Sequence, residues 1–344
     1  MTTHKFLSSK TKALVSLAAK SGLIKIGHSL WTNSLTVLNY HRIEDPFKKD
    51  IDSFLPNISA SPKEFRNQME YLKKWFNVVS IKDVSNWLTG KGSLPTHAAL
   101  ITFDDGYLDN YSNAYPILQE YGFPAIVYLS VGHIETNNPF YWDLVAYCFK
   151  YTNVDSFKFP DQTIHTWKNA EESLRLSKKF IEMMKLLPDS EKQIWISYLQ
   201  KQLNVSIPNN TFRKLMMSWD QIREMNRNGI DFGGHTINHP ILTRVSPSAA
   251  YNEIKGSKDK IEEELNCEID SFAYPNGMKS DFNTEIQTIV AGSGYKTAFT
   301  LLNGPTALSE VKNNPYTIRR CFISHSHTLQ QFSILVSPFN RLRS

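Results

Sequence analysis

Residues 98–106 read Ala-Ala-Leu-Ile-Thr-Phe-Asp-Asp-Gly, an apolar run that ends in two adjacent carboxylates and a glycine. Such a run predicts a strand that is buried on both faces, and the pattern over Tyr107–Tyr121 predicts a helix after it. In parallel α/β sheets and barrels, functional sites form at the carboxyl ends of the strands. We therefore expect Asp104 and Asp105 at such an edge, although Asp-Asp-Gly is also common in ordinary turns.

Seven further short apolar runs alternate with helical patterns from residue 35 onward. This alternation is typical of an α/β fold in which helices cover a parallel sheet, because strands of that kind are buried on both faces. Helix starts are expected at Ser218 with Gln221, a capping box, and at Ser246 with Pro247. The additional strands are expected at Leu35–Asn39, Val78–Ser80, Ala125–Val131, Ile230–Gly233, Ser271–Tyr274, Thr297–Leu301 and Thr317–Phe322.

Residues 143–217 interrupt the alternation of strands and helices. They predict two or three charged helices with no strand between them, near Glu171–Leu187 and Ser190–Leu203. We interpret this segment as a helical insertion, or a small lid, on one face of the α/β body. The body itself is expected over residues 35–327, followed by a C-terminal helix or tail over 328–344.

Charge is unevenly distributed along the 344 residues, whose formal net charge is +5. Six basic residues precede the first acidic residue, Glu44, so the rest of the chain sums to −1 (five minus six). A nucleic-acid-binding surface spread over the fold is therefore not expected. The six are Lys5, Lys10, Lys12, Lys20, Lys25 and Arg42.

Residues 1–34 are expected to form a basic amphipathic N-terminal helix. Its part over residues 4–30 can lie on an anionic membrane surface, or pack on the body with its lysines in water. The apolar stretch Ala13 to Ala19 is too short for a convincing signal peptide, and no stretch of the chain has the roughly 20 apolar residues that a spanning helix needs. We therefore expect a cytoplasmic protein, with peripheral membrane contact as an option.

The second chemical motif is His235-Thr-Ile-Asn-His239, which directly follows the expected strand Ile230–Gly233. Two histidines four residues apart lie on one face of a helical turn and can bind one metal ion. No glutamate follows His235, so the pattern differs from His-Glu-x-x-His zinc sites, in which the glutamate is the base. The alternative is a pair of surface or capping histidines.

The acidic and histidine motifs complement each other. A catalytic zinc ion commonly has three protein ligands and a water, and two histidines supply only two of them. One aspartate of the pair Asp104 and Asp105 completes the set, and the other is then available as a base. Both motifs follow strands of a parallel sheet, so we expect them on the same rim.

Together the two motifs resemble those of the polysaccharide deacetylases, the NodB-like carbohydrate esterases. A third family motif matches in part at residues 272–277, Phe-Ala-Tyr-Pro-Asn-Gly, and the resemblance covers about residues 35–325. It implies a distorted (β/α) barrel of about seven parallel strands with a helical insertion. It also implies a divalent metal, with Zn²⁺ expected and Co²⁺ or Ni²⁺ as alternatives, and hydrolytic removal of N-acetyl groups from an amino-sugar polysaccharide or glycan precursor.

The resemblance also assigns roles to individual residues. Asp105, His235 and His239 would bind the metal, and Asp104 would be the general base. Substrate contacts are expected at Tyr274, Pro275 and Asn276, with a backbone N–H near Asn276 facing the oxyanion. A further candidate is Trp142, since aromatic rings stack on sugars, although aromatic clusters are more often core.

The sequence departs from the family pattern at the residue that orients the base. The arginine that often begins the third motif is replaced here by Ala273. Arg319 or Arg320, on the last expected strand, can supply the positive charge from another position. We assign the role to Arg320, with ordinary surface pairing as the alternative for both.

The second departure concerns the general acid. The family often places a histidine near the C-terminus, where His325 and His327 lie. Residues 38–42, Leu-Asn-Tyr-His-Arg, instead resemble a subgroup that acts on exported or biofilm polysaccharides, in which an N-terminal Tyr-His pair supplies the acid. We therefore assign His41, which follows the first expected strand.

Two other functions are compatible with these motifs. A deformylase or deacetylase of a lipid-linked sugar would use the same chemistry. A non-catalytic glycan-binding barrel is the alternative from another class, and the intact set of two aspartates and two histidines counts against it.

Overall fold

The computed structural model describes residues 32–48, 53–337 and 340. Its strands are β1 (Ser34–Tyr40), β2 (Arg42–Ile43), β3 (Ile58–Ala60), β4 (Asn77–Val78), β5 (Ala98–Phe103), β6 (Ala125–Leu129), β7 (Ser156–Lys158), β8 (Ile164–Thr166), β9 (Ile230–Gly234), β10 (Ser271–Ala273), β11 (Thr297–Phe299), β12 (Thr306–Ala307) and β13 (Cys321–Phe322). Its α-helices are α1 (Pro62–Trp75), α2 (Ile81–Leu88), α3 (Tyr115–Tyr121), α4 (Tyr141–Tyr151), α5 (Ala170–Met184), α6 (Asp189–Gln202), α7 (Trp219–Arg227), α8 (Pro247–Leu265), α9 (Thr284–Gly292), α10 (Leu308–Asn313) and α11 (Leu329–Leu335).

The central sheet is parallel and curled. Strands β1, β5, β6, β9, β10 and β11 pair in that spatial order, and β4 is added beside β5. Residues 318–322 span the two ends of the curl, since Ile318 bridges to Phe299 of β11 while β13 pairs in parallel with β1. Only the short β12 is antiparallel among the described neighbours of β1. The expected α/β class and distorted barrel of about seven strands are confirmed.

Strand residues alternate between the barrel interior and the surrounding helices, as the pleat requires. All seven residues of β1 and all six of β5 are buried, which explains why their sequences are mostly apolar. The side chains inside the barrel come from alternate residues of each strand, for example Leu35 and Val37 of β1, and Ala98 and Leu100 of β5. Asp104 continues the inward-facing series of β5, whereas Asp105 belongs to the series on the opposite side.

The helix signals agree with the structure at the predicted caps. The Ser218 hydroxyl and the Gln221 side chain form a capping box at the start of α7, and Ser246 caps α8. The helix expected over Tyr107–Tyr121 differs, because a π-helical turn precedes α3. Pro116 has no N–H to donate to the preceding turn, which explains the irregularity there.

The expectation that residues 143–217 contain no strand is wrong. The antiparallel hairpin of β7 and β8 lies between α4 and α5. Its signal was the period-two pair Phe157 and Phe159, which pack on Phe180 of α5, followed by the turn residues Pro160 and Asp161. The hairpin and helices α4 to α6 together make up the insertion.

Two further expectations concern the ends of the chain. The basic pattern over residues 4–30 lies outside the described residues. Helix α11 is found within the expected C-terminal segment. Within the described part of the chain, no helix is both long enough and apolar enough to span a bilayer.

Candidate active site

The carboxyl ends of the parallel strands bring the chemical side chains to one rim of the barrel. Asp104 and Asp105 follow β5, and His235 follows β9. His41 follows β1, and Arg320 lies in the segment that spans the ends of the sheet. Asp104 and Arg320, which are 216 positions apart in sequence, therefore meet here.

Asp104 has a full set of polar partners. The Arg320 guanidinium donates to both of its oxygens, at 2.6 Å and 2.8 Å, and Asn39 Nδ2 donates to Oδ2 at 2.8 Å. Burial raises the pKa of this carboxyl, but the charge of Arg320 and its hydrogen bonds outweigh burial and hold the pKa at about 2. Asp104 is therefore ionised at neutral pH, and its orientation is fixed by the two-pronged arginine contact.

Asp105 has the opposite environment. Both of its oxygens are buried, and neither has a hydrogen-bond partner among the described residues. The Nε2 atoms of His235 and His239 lie 3.7 Å and 3.6 Å from Asp105 Oδ1. Burial, with the charge of Asp104 added to it, raises the pKa of Asp105 well above its ordinary value.

This donor set fits a divalent cation. The ligand atoms of Asp105, His235 and His239 lie within 4.8 Å of one another, and all three residues are buried. A buried carboxylate without partners is costly for a protein, and a cation between the three groups would satisfy it. One carboxylate and two imidazoles is also a ligand set typical of catalytic zinc.

The ring of His235 is oriented by a hydrogen bond. Its Nδ1 donates to the Ala273 carbonyl at 2.7 Å, because a carbonyl oxygen can only accept. This bond fixes the tautomer and directs the Nε2 lone pair toward Asp105. Burial lowers the pKa of His235, which favours the neutral imidazole that a metal requires.

His239 is oriented by packing and by its backbone. Its ring lies edge-on to Trp142 and to Phe140, with centroids 4.8 Å and 5.6 Å apart. Its Nδ1 is buried and finds no hydrogen-bond partner in the described part of the chain. The expectation of a helical turn between the two histidines is wrong, since Thr236 and His239 have φ of 69° and 56° and the segment is a loop.

His41 lies beside Asp104. Its Nε2 lies 4.0 Å from Asp104 Oδ2. Among the described residues, His325 makes no such contact with Asp104. Burial lowers the pKa of His41 to about 4, against the opposing effect of the Asp104 charge, so the ring is neutral at pH 7. His325 lies against the carbonyl of Ile58, and His327 accepts from the N–H of Ser324.

Two of the predicted substrate contacts are placed in the core. The Tyr274 ring is fully buried against Phe282, and its hydroxyl donates to the Tyr316 carbonyl at 3.1 Å. Trp142 is stacked on Phe140, and its Nε1 donates to the Tyr107 hydroxyl at 2.8 Å. Neither ring offers an open face to a sugar, so the stacking expected of Trp142 and the side-chain contact expected of Tyr274 are corrected.

Asn276 lies at the surface of the site. It lines a narrow cleft beside His239, and the insertion contributes the opposite wall. Pro275 is buried behind it. Described residues that line this cleft include Tyr141, Lys185, Lys192 and Arg244.

Sequence reasoning missed several supporting residues. Asn39 is a buried amide at the carboxyl end of the mostly apolar strand β1, which is a usable signal for a polar partner at the rim. Asp143 accepts from the Tyr107 hydroxyl at 2.7 Å and from the Phe54 N–H at 2.8 Å, and thereby fixes the tyrosine that holds Trp142. No local pattern marked these contacts, because the partners are far apart along the chain. Arg319, the alternative to Arg320, donates to the Asn303 carbonyl instead of reaching Asp104.

The chain is similar in sequence to known polysaccharide deacetylases. The model of a family described as Polysaccharide deacetylase matches residues 91–298, more than half of the chain. The poly-beta-1,6-N-acetyl-D-glucosamine N-deacetylase of Staphylococcus epidermidis is 26% identical over an alignment of 213 residues, and the match covers 58% of this chain and 72% of that protein. A protein of the same name from Staphylococcus aureus is 25% identical over an alignment of 214 residues, and the match covers 58% of this chain and 71% of that one.

Solved structures share the fold at lower identity. The Streptococcus pyogenes deacetylase PplD in complex with acetate superposes with a TM-score of 0.59 at 20% identity, covering 89% of this chain and 100% of that one. A de-N-acetylase from Aggregatibacter actinomycetemcomitans gives a TM-score of 0.59 at 18% identity, covering 88% of this chain and 99% of that one.

Proposed function

Because the chain belongs to the polysaccharide deacetylase family, we propose that it hydrolyses the N-acetyl groups of an amino-sugar polysaccharide in a metal-dependent reaction. The observation that carries the proposal is the buried Asp105 carboxylate, which has no hydrogen-bond partner within the described part of the chain and faces two imidazoles. The names of the relatives make poly-β-1,6-N-acetylglucosamine the first substrate to test.

Asp105, His235 and His239 would hold the metal, with Zn²⁺ proposed and Co²⁺ or Ni²⁺ as alternatives. When bound, such an ion acidifies a water molecule and polarises the acetamide carbonyl. The protein supports this arrangement through the Ala273 carbonyl, which orients His235, and through the aromatic contacts of His239.

Asp104 is proposed as the general base. It is ionised, and its carboxylate is held at the rim by Arg320 and Asn39. It takes the proton of the attacking water as the new C–O bond forms at the acetyl carbon. Fixed orientation keeps the base aligned without reorganisation during the reaction.

His41 is proposed as the acid that protonates the departing amine. Its ring is neutral in the free protein, so the proton must arrive during the reaction. The nearest carboxylate is Asp104, 4.0 Å away, which has just accepted a proton from water. Cleavage of the C–N bond then yields acetate and a free amino sugar, and the oxyanion formed on the way is proposed to meet a backbone N–H near Asn276.

The test is release of acetate from N-acetylglucosamine oligomers, with the full chain treated with chelator and then with Zn²⁺, Co²⁺ or Ni²⁺. We expect activity to disappear with chelator and to return with metal, and to stay about 10²–10⁴-fold below that of the parent in Asp104→Asn with every metal. Release from a lipid-linked sugar and not from oligomers would move the substrate to that class. Oligomer binding without acetate release under every metal would contradict the proposal in favour of a glycan-binding barrel.

A further inference from the structure

Backbone carbonyl groups of the loop between His235 and His239 accept hydrogen bonds from the turn that follows β6. The Thr236 carbonyl accepts from the Val131 N–H at 3.2 Å, and the Ile237 carbonyl accepts from the Gly132 N–H at 2.8 Å. The His239 N–H donates to the Thr236 hydroxyl at 3.0 Å. The turn that follows β6 therefore fixes one edge of this loop.

The other edge of the loop is held by a single carboxylate on α8. Glu253 Oε2 accepts from the consecutive N–H groups of Ile237 and Asn238, both at 2.8 Å. Glu253 Oε1 accepts from Asn238 Nδ2, also at 2.8 Å. Hydrogen bonds to an ionised acceptor are stronger than neutral ones, so this is a tight contact between α8 and the loop.

The loop needs such support because its backbone is strained. Thr236 and His239 both have φ in the left-handed region, which is unfavourable for residues with a side chain. Helix α8 also approaches closely at Gly256, where a Cβ would lie 2.6 Å from Ile237 Cδ1. Loop and helix are therefore packed against each other, with Glu253 beside that contact.

The two histidines depend on the loop to different degrees. His235 has its own hydrogen bond to the Ala273 carbonyl, whereas His239 Nδ1 has no partner in the residues that the structure describes. The place of His239 is consequently set by the backbone of the loop and by aromatic packing. A group that fixes the loop backbone fixes the distance from His239 to Asp105.

We propose that Glu253 is a positioning residue of the metal site, which sets the spacing of His235 and His239 by clamping the two N–H groups between them. It acts through the loop and does not touch substrate. The inference rests on the proposed metal dependence. Loss of the clamp lets the loop relax away from its strained conformation, and the site then binds metal less tightly.

The test is the affinity of the full chain for Zn²⁺, measured by competition with a chromophoric chelator, together with the thermal midpoint of the metal-free protein. Glu253→Gln keeps the shape of the side chain but loses its charge and one acceptor oxygen. We expect its Zn²⁺ affinity to fall about 10–100-fold, the range typical of residues that support metal ligands. The Co²⁺ absorption spectrum should also change, because it reports the geometry of the ligands.

The matched control is Glu263→Gln on the same helix, which removes only an exposed pair with Lys260. It should bind Zn²⁺ like the parent. Asn238→Ala removes one of the three hydrogen bonds at an exposed residue and should lower affinity less than Glu253→Gln, so it decides the question if Glu253→Gln does not fold. Parent-like Zn²⁺ affinity in Glu253→Gln, or in Asn238→Ala in that case, would overturn the inference. Failure of the parent itself to bind Zn²⁺, Co²⁺ and Ni²⁺ would instead overturn the proposed function.

Discussion

The Asp104 side and the Asp105 side of the site differ in their partners and not in their burial. The two residues are adjacent, and each is 1% exposed. Asp104 has an arginine and an amide on its oxygens and a lowered pKa, whereas Asp105 has no hydrogen-bond partner among the described residues and a raised pKa. The Asp104 carboxylate therefore has its charge balanced, as the proposed base requires, whereas the Asp105 carboxyl has the environment expected of a metal ligand.

The largest loss of activity is expected from substitution of Asp104, the proposed base. Asp104→Asn keeps the shape of the side chain but cannot accept a proton from water. We expect kcat to fall about 10²–10⁴-fold, the usual contribution of a positioned base. Acetate release measures this loss, and Zn²⁺ binding should persist because the ligand set is intact. Turnover close to that of the parent would exclude Asp104 as the base.

Removal of Arg320 is expected to lower the stability of the protein, because Asp104 then loses its charge partner. Arg320→Ala leaves a buried carboxylate without its charge partner, and we expect the free energy of unfolding to fall by about 3–5 kcal/mol. Denaturant unfolding measures the change, with Arg319→Ala as the control, since that side chain contacts the Asn303 carbonyl. Equal effects of the two substitutions would contradict the assignment of Arg320.

Substitution of His41, the proposed acid, is expected to lower activity as well. His41→Ala removes the ring that lies 4.0 Å from Asp104, and we expect a loss of about 10²-fold in kcat. His325→Ala is the control and should keep near-normal activity. The reverse outcome in acetate release would reassign the acid to the C-terminal segment.

The smallest effect is expected on the Asp105 side, and it has the opposite sign. Asp105→Asn removes a carboxyl group whose ionised form is disfavoured by burial and by Asp104 and which has no hydrogen-bond partner among the described residues, so the metal-free protein should gain about 1–3 kcal/mol of stability. Chelator-treated samples compared by denaturant unfolding measure the gain. A loss of stability would mean that Asp105 has partners that balance its charge.

The strands and motifs that carry Asp104 and Asp105 could be predicted from the sequence, whereas the contacts of the two side chains could not. The strands and both motifs have local signals: apolar runs that end in Asp-Asp-Gly, and paired histidines after a strand. The partners that distinguish Asp104 from Asp105 have no local signal, since Asn39 and Arg320 reach the rim only through the register of β1 and the closing segment 318–322.

The histidine loop shows the same limit. A spacing of four predicted a helical turn, but the strained loop is stabilised by Glu253 and by the turn after β6, which are distant in sequence. Tertiary hydrogen bonds thus overrode the local preference. The aromatic run at Trp142 predicted a sugar contact or core, and packing on His239 and Phe140 decided for the core.

The division of labour between the two aspartates is tested most directly by Zn²⁺ titration of the parent, Asp104→Asn and Asp105→Asn, with the number of bound ions per chain as the readout. We expect one tightly bound ion in the parent and in Asp104→Asn, and a loss of tight binding in Asp105→Asn. Tight binding that survives in Asp105→Asn, or is lost in Asp104→Asn, would contradict this division of labour.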